Sequence, residues 1–365
     1  MKASVVSAVG GGFAVQELQL AQPQGREVLV EVKASGLCHS DLTLANAGLV
    51  YAPPAVLGHE VAGVVIAVGE AVSDCRIGDH VVACLIQFCG HCVPCLSGHT
   101  HACLNPDATL RAPGEPARLQ TAQGSSVNQG FGLGGFAAQV LAHENQVIVI
   151  PKALPFEEAA LLGCGVLTGA GAVLNTAKVE HGQSVVVIGA GGVGLSAIAG
   201  AVLAGASRII AVDVAEAKLQ RACLLGATDT VDSSQHDPVL AVKALLPGGA
   251  DYVFDFVGVR AVVEQGLQML GKGGGLYLVG IGDGSTTVDL RTFDLMLNHN
   301  RIEAVYMGSS NAKRDIPFYA EMALAGRFNL AALVSRRIAL SQIDEGYLAL
   351  KDGATARVVI TDFEH

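Results

Sequence analysis

"SVVVIGAGGVGLSAIAGAVLAGASRIIAVDV", residues 184–214, is the stretch on which the fold turns. A β-rich apolar run, Val185 to Ile188, meets G-x-G-x-x-G at Gly189, Gly191 and Gly194. A long Ala/Gly/Leu helix follows, then a second apolar strand, "RIIAVD". Alone, the glycine pattern is a weak signal, because a chain with 45 glycines matches it by chance. Here the context is complete: strand before, helix after, and an acidic residue, Asp213, nineteen positions beyond Gly194. The first glycine permits the tight turn, and the second lets backbone approach a pyrophosphate at the helix N-terminus. The third lets helix and strand pack closely. Gly192 and Val193 complete the candidate cofactor turn. The Asp213 carboxylate can accept hydrogen bonds from both hydroxyls of an adenosine ribose but would repel a 2′-phosphate, which favours NAD. No Arg follows it directly; Lys218, on the next turn, either adds to ribose or phosphate binding or is a solvated helix face.

Working outward, 365 residues suggest two domains, and 51% hydrophobic residues with 15% charged suffice for a large core. A net charge of −10 argues against nucleic acid and against an anionic membrane surface. No apolar run reaches the roughly 18–20 residues that span a bilayer. The nearest, "VGLSAIAGAVLAGASRIIAV", carries Arg208 and begins in the glycine turn. The N-terminal "MKASVVSAVGGGFAVQELQL" reads as strand and turn rather than signal peptide, so a reducing, cytoplasmic location is expected.

That location bears on the cysteines. Four of the nine fall in "CGHCVPCLSGHTHAC", residues 89–103, as Cys89, Cys92, Cys95 and Cys103. Clustered thiolates in a reducing compartment usually bind metal, and a closed four-sulfur structural zinc site is the natural product. An iron–sulfur cluster is the rival. In that pattern, however, the fourth cysteine follows after three residues and precedes proline; here the gap is seven and Leu104 follows. Unligated thiols are the third option, and His91, His99 and His101 read as exposed loop residues. A second, dispersed set is Cys38 in "GLCHSD", His59 with Glu60 in "LGHEVAG", and Cys164 in "LLGCGVLTGAG". Two thiolates and one imidazole leave the fourth position open, as a catalytic zinc requires. Each alone would read as a buried small hydrophobe or a satisfied structural residue; it is the motifs together, in this order, that reverse that reading.

The motifs "GLCHSDL", "GHEVAGVV", "GDHVV", the four-cysteine lobe, "GCGVLTGAGAVLN" and "VIGAGGVGL" run along nearly the whole chain. With them the sequence resembles the zinc-dependent medium-chain alcohol dehydrogenases. "GCG" and the long segment between Cys103 and Phe136 are similar to the branch of aryl- and benzyl-alcohol dehydrogenases and glutathione-dependent formaldehyde dehydrogenases. The resemblance implies an α/β chain: a Rossmann doubly wound NAD domain over 166–305, and a β-rich GroES-like catalytic domain over 1–165 and 306–365. It implies two zinc ions, a catalytic one on Cys38, His59 and Cys164 and a structural one on the four clustered cysteines. Ser40 would hydrogen-bond the zinc-bound alcohol and start its proton on the way out; His39 and Arg357 would lie near the cofactor pyrophosphate. Asp41 and Glu60 would support the ligands, with Asp41 orienting the imidazole, while Thr168 and Val193 pack on the nicotinamide. Zinc acidifies the alcohol and NAD takes its hydride.

Two departures limit the resemblance. The position of the family's relay histidine is Thr43, so the proton would leave by way of water, a ribose hydroxyl and Thr43, or by another path. Glutathione-dependent members carry a basic residue shortly after the fourth structural cysteine, where "LNPD" stands here, and this demotes oxidation of a glutathione adduct. Ser40 also reads as an N-cap for "DLTLAN". Asp251 and Asp255 read as capping or loop groups, and "PDATLRAPGEPA" and "QTAQGSSVNQG" as exposed loop. The substrate would bind in a cleft between domains. Apolar Leu85, Ile86 and Phe131 suit a hydrophobic primary alcohol, aromatic or allylic, oxidised to the aldehyde. A non-catalytic zinc-binding interaction protein is the alternative from another class. A homodimer is expected, with a tetramer as the other possibility.

Overall fold

The computed structural model describes residues 1–48, 51–282, 285–353 and 355–364. The chain divides into two compact units, Met1–Gly165 with Ser310–His365, and Val166–Ser309. The return to the first unit thus falls four residues beyond the 306 read from the sequence.

The second unit is built on a six-stranded sheet in the order Asp229–Asp232, Arg208–Asp213, Ser184–Ile188, Ala250–Asp255, Leu270–Leu278, Arg301–Ala304. Every pairing is parallel. Parallel strands need crossover connections, and helices Gly192–Ala204, Glu216–Leu224 and Arg260–Met269 supply them. Ser184–Ile188 lies between two partners and is buried along its whole length, which is why it is apolar without alternation. Val186, Ile188, Ile210, Val212, Val253 and Leu276 form the core beneath the helices.

The first unit joins a closed barrel to a seven-stranded sheet. The strand Glu27–Gly36 is the spine of that sheet, pairing with Glu60–Val68, Gln139–His143 and Arg357–Asp362. The N-terminal stretch is strand Lys2–Val6, a turn through the glycines, and antiparallel strand Ala14–Leu20. The segment "QTAQGSSVNQG", expected as exposed loop, instead contributes barrel strands: Leu119–Thr121 pairs with Ala14–Leu20, and Ser126–Gln129 with Ala55–Val56. Its Val127, and Leu119 just before the segment, are buried in the barrel core. The long segment after Cys103 is tied down by charge. Glu27, buried, accepts from Arg111 Nε and Nη2 at 2.9 and 2.6 Å and from Arg118 Nε at 2.7 Å. Among the described residues no single helix is long and apolar enough to cross a membrane.

Candidate metal centre and cofactor turn

Strand register brings the first donors together. In the antiparallel pair, Gly36 sits opposite Glu60. Cys38 leaves one strand two residues after Gly36, and His59 enters the other one residue before Glu60, so both project from the same end of the sheet. Cys164 arrives from the far sequence because Gly165 N donates to Glu60 Oε1 at 3.1 Å. A side chain on Gly165 would run into Arg357 Nη2, which accounts for the second glycine of "GCG". The ligand atoms of Cys38, His59 and Cys164 all lie within 4.8 Å of one another, and all three residues are buried.

The donor chemistry fits a cation. Asp41 Oδ1 stands 3.0 Å from His59 Nδ1 and accepts from Gly58 N at 3.0 Å, so the ring presents Nε2 to the sulfurs. Nε2 is buried and has no hydrogen-bond partner, an expensive arrangement unless a metal takes its lone pair. A side-chain hydrogen bond with Cys164 and the nearby imidazole hold the Cys38 thiol well below its usual range. The same shared proton, with burial, pushes Cys164 well above. Burial would lower His59, but Asp41 and Cys38 raise it well above the ordinary imidazole value. Burial lifts Glu60 to about 7 against the pull of Arg357. Without an ion, protons must partly neutralise this buried cluster of acceptors; a divalent cation does so more completely.

Ser40 Oγ lies 3.5 Å from Cys38 Sγ. It is not the N-cap read from "DLTLAN": the helix begins two residues earlier, His39–Ala47, with Cys38 at the cap position. His39 is exposed. Thr43 Oγ1 donates to the His39 carbonyl at 3.1 Å, so its hydroxyl serves the helix. Arg357 is buried, with Nη2 3.3 Å from Glu60 Oε1 and Nη1 3.3 Å from the Leu37 carbonyl. Phe131, half-buried, sets its ring edge-on to His59 at 5.3 Å. Its backbone is left-handed, φ 54°, a costly conformation for a phenylalanine. Gln146 Nε2 holds its carbonyl at 2.9 Å, and the Tyr51 ring meets it at 5.7 Å. Leu85 and Ile86 are buried.

The other cysteine set also converges. Cys89, Cys92, Cys95 and Cys103 place their sulfurs within 4.8 Å of one another. Cys92 Sγ lies 3.4 Å from Cys95 Sγ and 3.8 Å from Cys103 Sγ. Tetrahedral sulfurs about 2.3 Å from zinc stand about 3.8 Å apart. Backbone amides point at the sulfurs: Cys89 N and Asn105 N lie 3.2 and 3.3 Å from Cys103 Sγ. Those of His91 and Cys92 bring Cys89 down to about 6. His91 and His99 are not in this set; His99 and His101 face each other at 6.0 Å.

In the second unit, Gly189 adopts φ +93° at the end of its strand, and Gly191 caps helix Gly192–Ala204. A Cβ on Gly194 would collide with the Gly189 carbonyl, whereas one on Gly191 would meet nothing within 4 Å. The open face at Gly191 is a cradle of the kind a phosphate enters. Asp213 ends the neighbouring strand and accepts from Ala190 N at 2.8 Å and Ala215 N at 3.0 Å, with Lys218 Nζ 3.8 Å away. The missing side chain of Gly169 lets the Val193 carbonyl pack against it, one residue along the chain from Thr168, whose Oγ1 donates to Met307 Sδ at 3.4 Å. Asp251 Oδ2 accepts from Ser184 N and Oγ at 2.8 and 2.6 Å, and Asp255 from Val257 N at 2.8 Å; both organise backbone.

A buried nitrogen-and-two-sulfur donor set in one unit and a glycine turn heading a parallel sheet in the other are the hallmarks of the zinc-binding dehydrogenases. Residues 24–152 match the alcohol dehydrogenase GroES-like domain, and residues 192–322 match the zinc-binding dehydrogenase domain. The chain belongs to the zinc-dependent alcohol dehydrogenase family, an oxidoreductase family whose general cofactor is NAD. It is 34% identical to S-(hydroxymethyl)glutathione dehydrogenase of Synechocystis sp., over 98% of this chain and 99% of that one. Among solved structures it is similar to benzyl alcohol dehydrogenase from Acinetobacter calcoaceticus, at TM-score 0.91 and 36% identity, covering 99% of both chains. An alcohol dehydrogenase zinc-binding domain protein from Burkholderia ambifaria aligns at TM-score 0.94 and 38% identity, covering 99% of this chain and 98% of that one.

Proposed function

We propose that the protein oxidises a hydrophobic primary alcohol, aromatic or allylic, to its aldehyde, reversibly, with NAD as hydride acceptor. The observation that carries this reading is the unpartnered, buried Nε2 of His59 among the sulfurs of Cys38 and Cys164. When bound there, zinc supplies Lewis acidity to a coordinated hydroxyl and NAD accepts hydride. The chain's own part follows from its residues. Cys38, His59 and Cys164 hold the ion with one position left for substrate, and Asp41 fixes the tautomer that makes His59 a donor. Ser40, beside Cys38, would hydrogen-bond the substrate hydroxyl and relay its proton, taking it as the Ser40 hydroxyl's own proton passes on to water. The Gly189–Gly194 turn receives the pyrophosphate, Asp213 with Lys218 the adenosine ribose, and Thr168 with Val193 the nicotinamide. Cys89, Cys92, Cys95 and Cys103 hold a second zinc, which fixes their loop.

Apolar Leu85, Ile86 and Phe131 favour an aromatic or allylic alcohol over a polyol, and the likeness to a benzyl alcohol dehydrogenase supports this choice. The likeness to S-(hydroxymethyl)glutathione dehydrogenases favours a second reading, oxidation of that adduct. Against it, Arg111 and Arg118, the nearest basic residues after the cysteine lobe, are occupied by Glu27. Benzyl alcohol, cinnamyl alcohol, sorbitol, and formaldehyde with glutathione, each assayed with NAD and NADP, separate the readings. The first two should lead; faster turnover of sorbitol, or of the glutathione adduct, would displace the proposal. A cytoplasmic location suits nine cysteines that form no disulfide. The open edge strand Arg301–Ala304 and the exposed Phe293, Met296 and Leu297 support a homodimer over a monomer, which light scattering decides.

A further inference from the structure

The turn that carries Cys38 is held by more than its own helix. It leaves the strand Glu27–Gly36 and enters the helix His39–Ala47 with no side-chain cap. Such a junction would ordinarily rely on backbone bonds alone, and the Cys38 carbonyl receives Asp41 N at 3.1 Å. It also receives a second donor from far along the chain: the hydroxyl of Tyr347, at 3.1 Å. Tyr347 lies on the helix Ile343–Lys351 and is buried. Its position is fixed at three points. Its ring stacks on Phe13 at 5.4 Å, and Phe13 in turn meets Phe136 edge-on at 5.8 Å. Asp344, on the same helix, accepts from Phe13 N at 3.2 Å. Gly346 brings the helix flush against Leu37: a Cβ there would come within 2.7 Å of Leu37 Cδ2. The neighbouring carbonyl, of Leu37, is held by Arg357 Nη1, and Leu37 N donates to Val358 O at 2.9 Å.

We infer that Tyr347 is a positioning residue for the metal centre: its hydroxyl holds the Cys38 carbonyl and so sets where the Cys38 sulfur and Ser40 stand. The inference rests on the reading of Cys38 as a zinc ligand. A ligand sulfur hangs on a single Cβ, so rotation of its peptide displaces it directly. Two donors on one carbonyl oppose that rotation, as groups behind a ligand oppose its loss. The four-cysteine loop serves as an internal control: the side chain facing its Cys89 carbonyl is the loop's own His91, Nδ1 at 3.0 Å, and not Tyr347.

The test is zinc release from the holoenzyme to a colorimetric chelator, followed as two kinetic phases, for wild type, Tyr347→Phe, Phe13→Leu and Cys38→Ser. Cys38→Ser identifies the open-site phase by abolishing it. Tyr347→Phe should speed that phase about tenfold, the effect typical of removing a group that supports a ligand. The four-cysteine phase and the melting midpoint should change little. Phe13→Leu, which loosens the ring packing but keeps the hydroxyl, should lower the midpoint while shifting the open-site phase less. If Tyr347→Phe leaves both phases at wild-type rates, or speeds both alike, the role of Tyr347 is overturned and the ligand assignment stands. If Cys38→Ser keeps both phases, the ligand assignment fails and takes this inference with it.

Discussion

Asp41 shows how much a single carboxylate decides. Its Oδ1 serves both the Gly58 amide and the His59 ring, and removing its charge would free the ring to turn or change tautomer. Asp41→Asn should therefore weaken zinc at the open site by about 10- to 100-fold while the four-cysteine zinc stays bound, as competition with a chelator would report. Cys38→Ser should retain one zinc per chain and its fold but lose NAD reduction; retained activity would break the proposed mechanism. In the proposed reading, Asp213 carries the cofactor preference. Its oxygens accept from two backbone amides, so its charge is fixed at the strand end rather than free to swing aside. Asp213→Ser should narrow the NAD-over-NADP preference in kcat/KM by about tenfold, or about 1.4 kcal/mol. These residues were legible from their motifs. Arg357 was expected near the cofactor pyrophosphate, from the resemblance alone: its partner Glu60 lies on a different strand, and no spacing announces that pair.

At the scale of elements, register is what turns motifs into a site. The pairing of Gly36 with Glu60 aligns Cys38 with His59, and one residue of slip would send one of them to the opposite face. The short helical turn ending at Gly163 then has to deliver Cys164, and it does so through the Gly165 amide held by Glu60. Gly165→Ala would drive a methyl into Arg357. The expected outcome is loss of the open-site zinc with the four-cysteine zinc retained, seen by elemental analysis against thermal melting. Two elements escaped the sequence reading. Leu119–Thr121 and Ser126–Gln129 are polar on their outer faces and flanked by glycine, so they look like loop. They become strands because the barrel supplies partners for their backbone, a tertiary override of weak propensity. Phe131 escaped as a conformation: nothing in "GFG" says that the phenylalanine, along with Gly132 at φ 70°, takes a left-handed backbone, which Gln146 stabilises.

For the whole molecule, stability should follow the Glu27 cluster. Burial alone would raise Glu27, but Arg111 and Arg118 hold it below its ordinary value of 4.5. A carboxyl lowered in the folded state takes up its proton more readily when unfolded. Its contribution is complete above about pH 4.5 and is lost as pH falls through the lower, folded value. Melting midpoints from pH 7 down to 3 should fall more steeply in wild type than in Glu27→Gln. That variant should itself be about 3–5 kcal/mol less stable at pH 7, because it leaves Arg118 buried without its counter-charge. A wild-type midpoint that is flat across this range would remove the cluster from the account.

The chain by itself determined the local chemistry: the glycine turn with its strand, helix and acidic residue, the four-cysteine loop, and the short motifs that carry Cys38, His59 and Cys164. Those signals are short-ranged, because turns, caps and ligand spacings depend on neighbouring residues. What only the tertiary structure decided is which distant groups share a carbonyl or a carboxylate: Arg357 on Glu60, Arg111 and Arg118 on Glu27, Tyr347 on Cys38. The physical reason is that such pairs are set by strand register and helix packing. Those are collective properties of the folded core, and no periodicity within one segment records them.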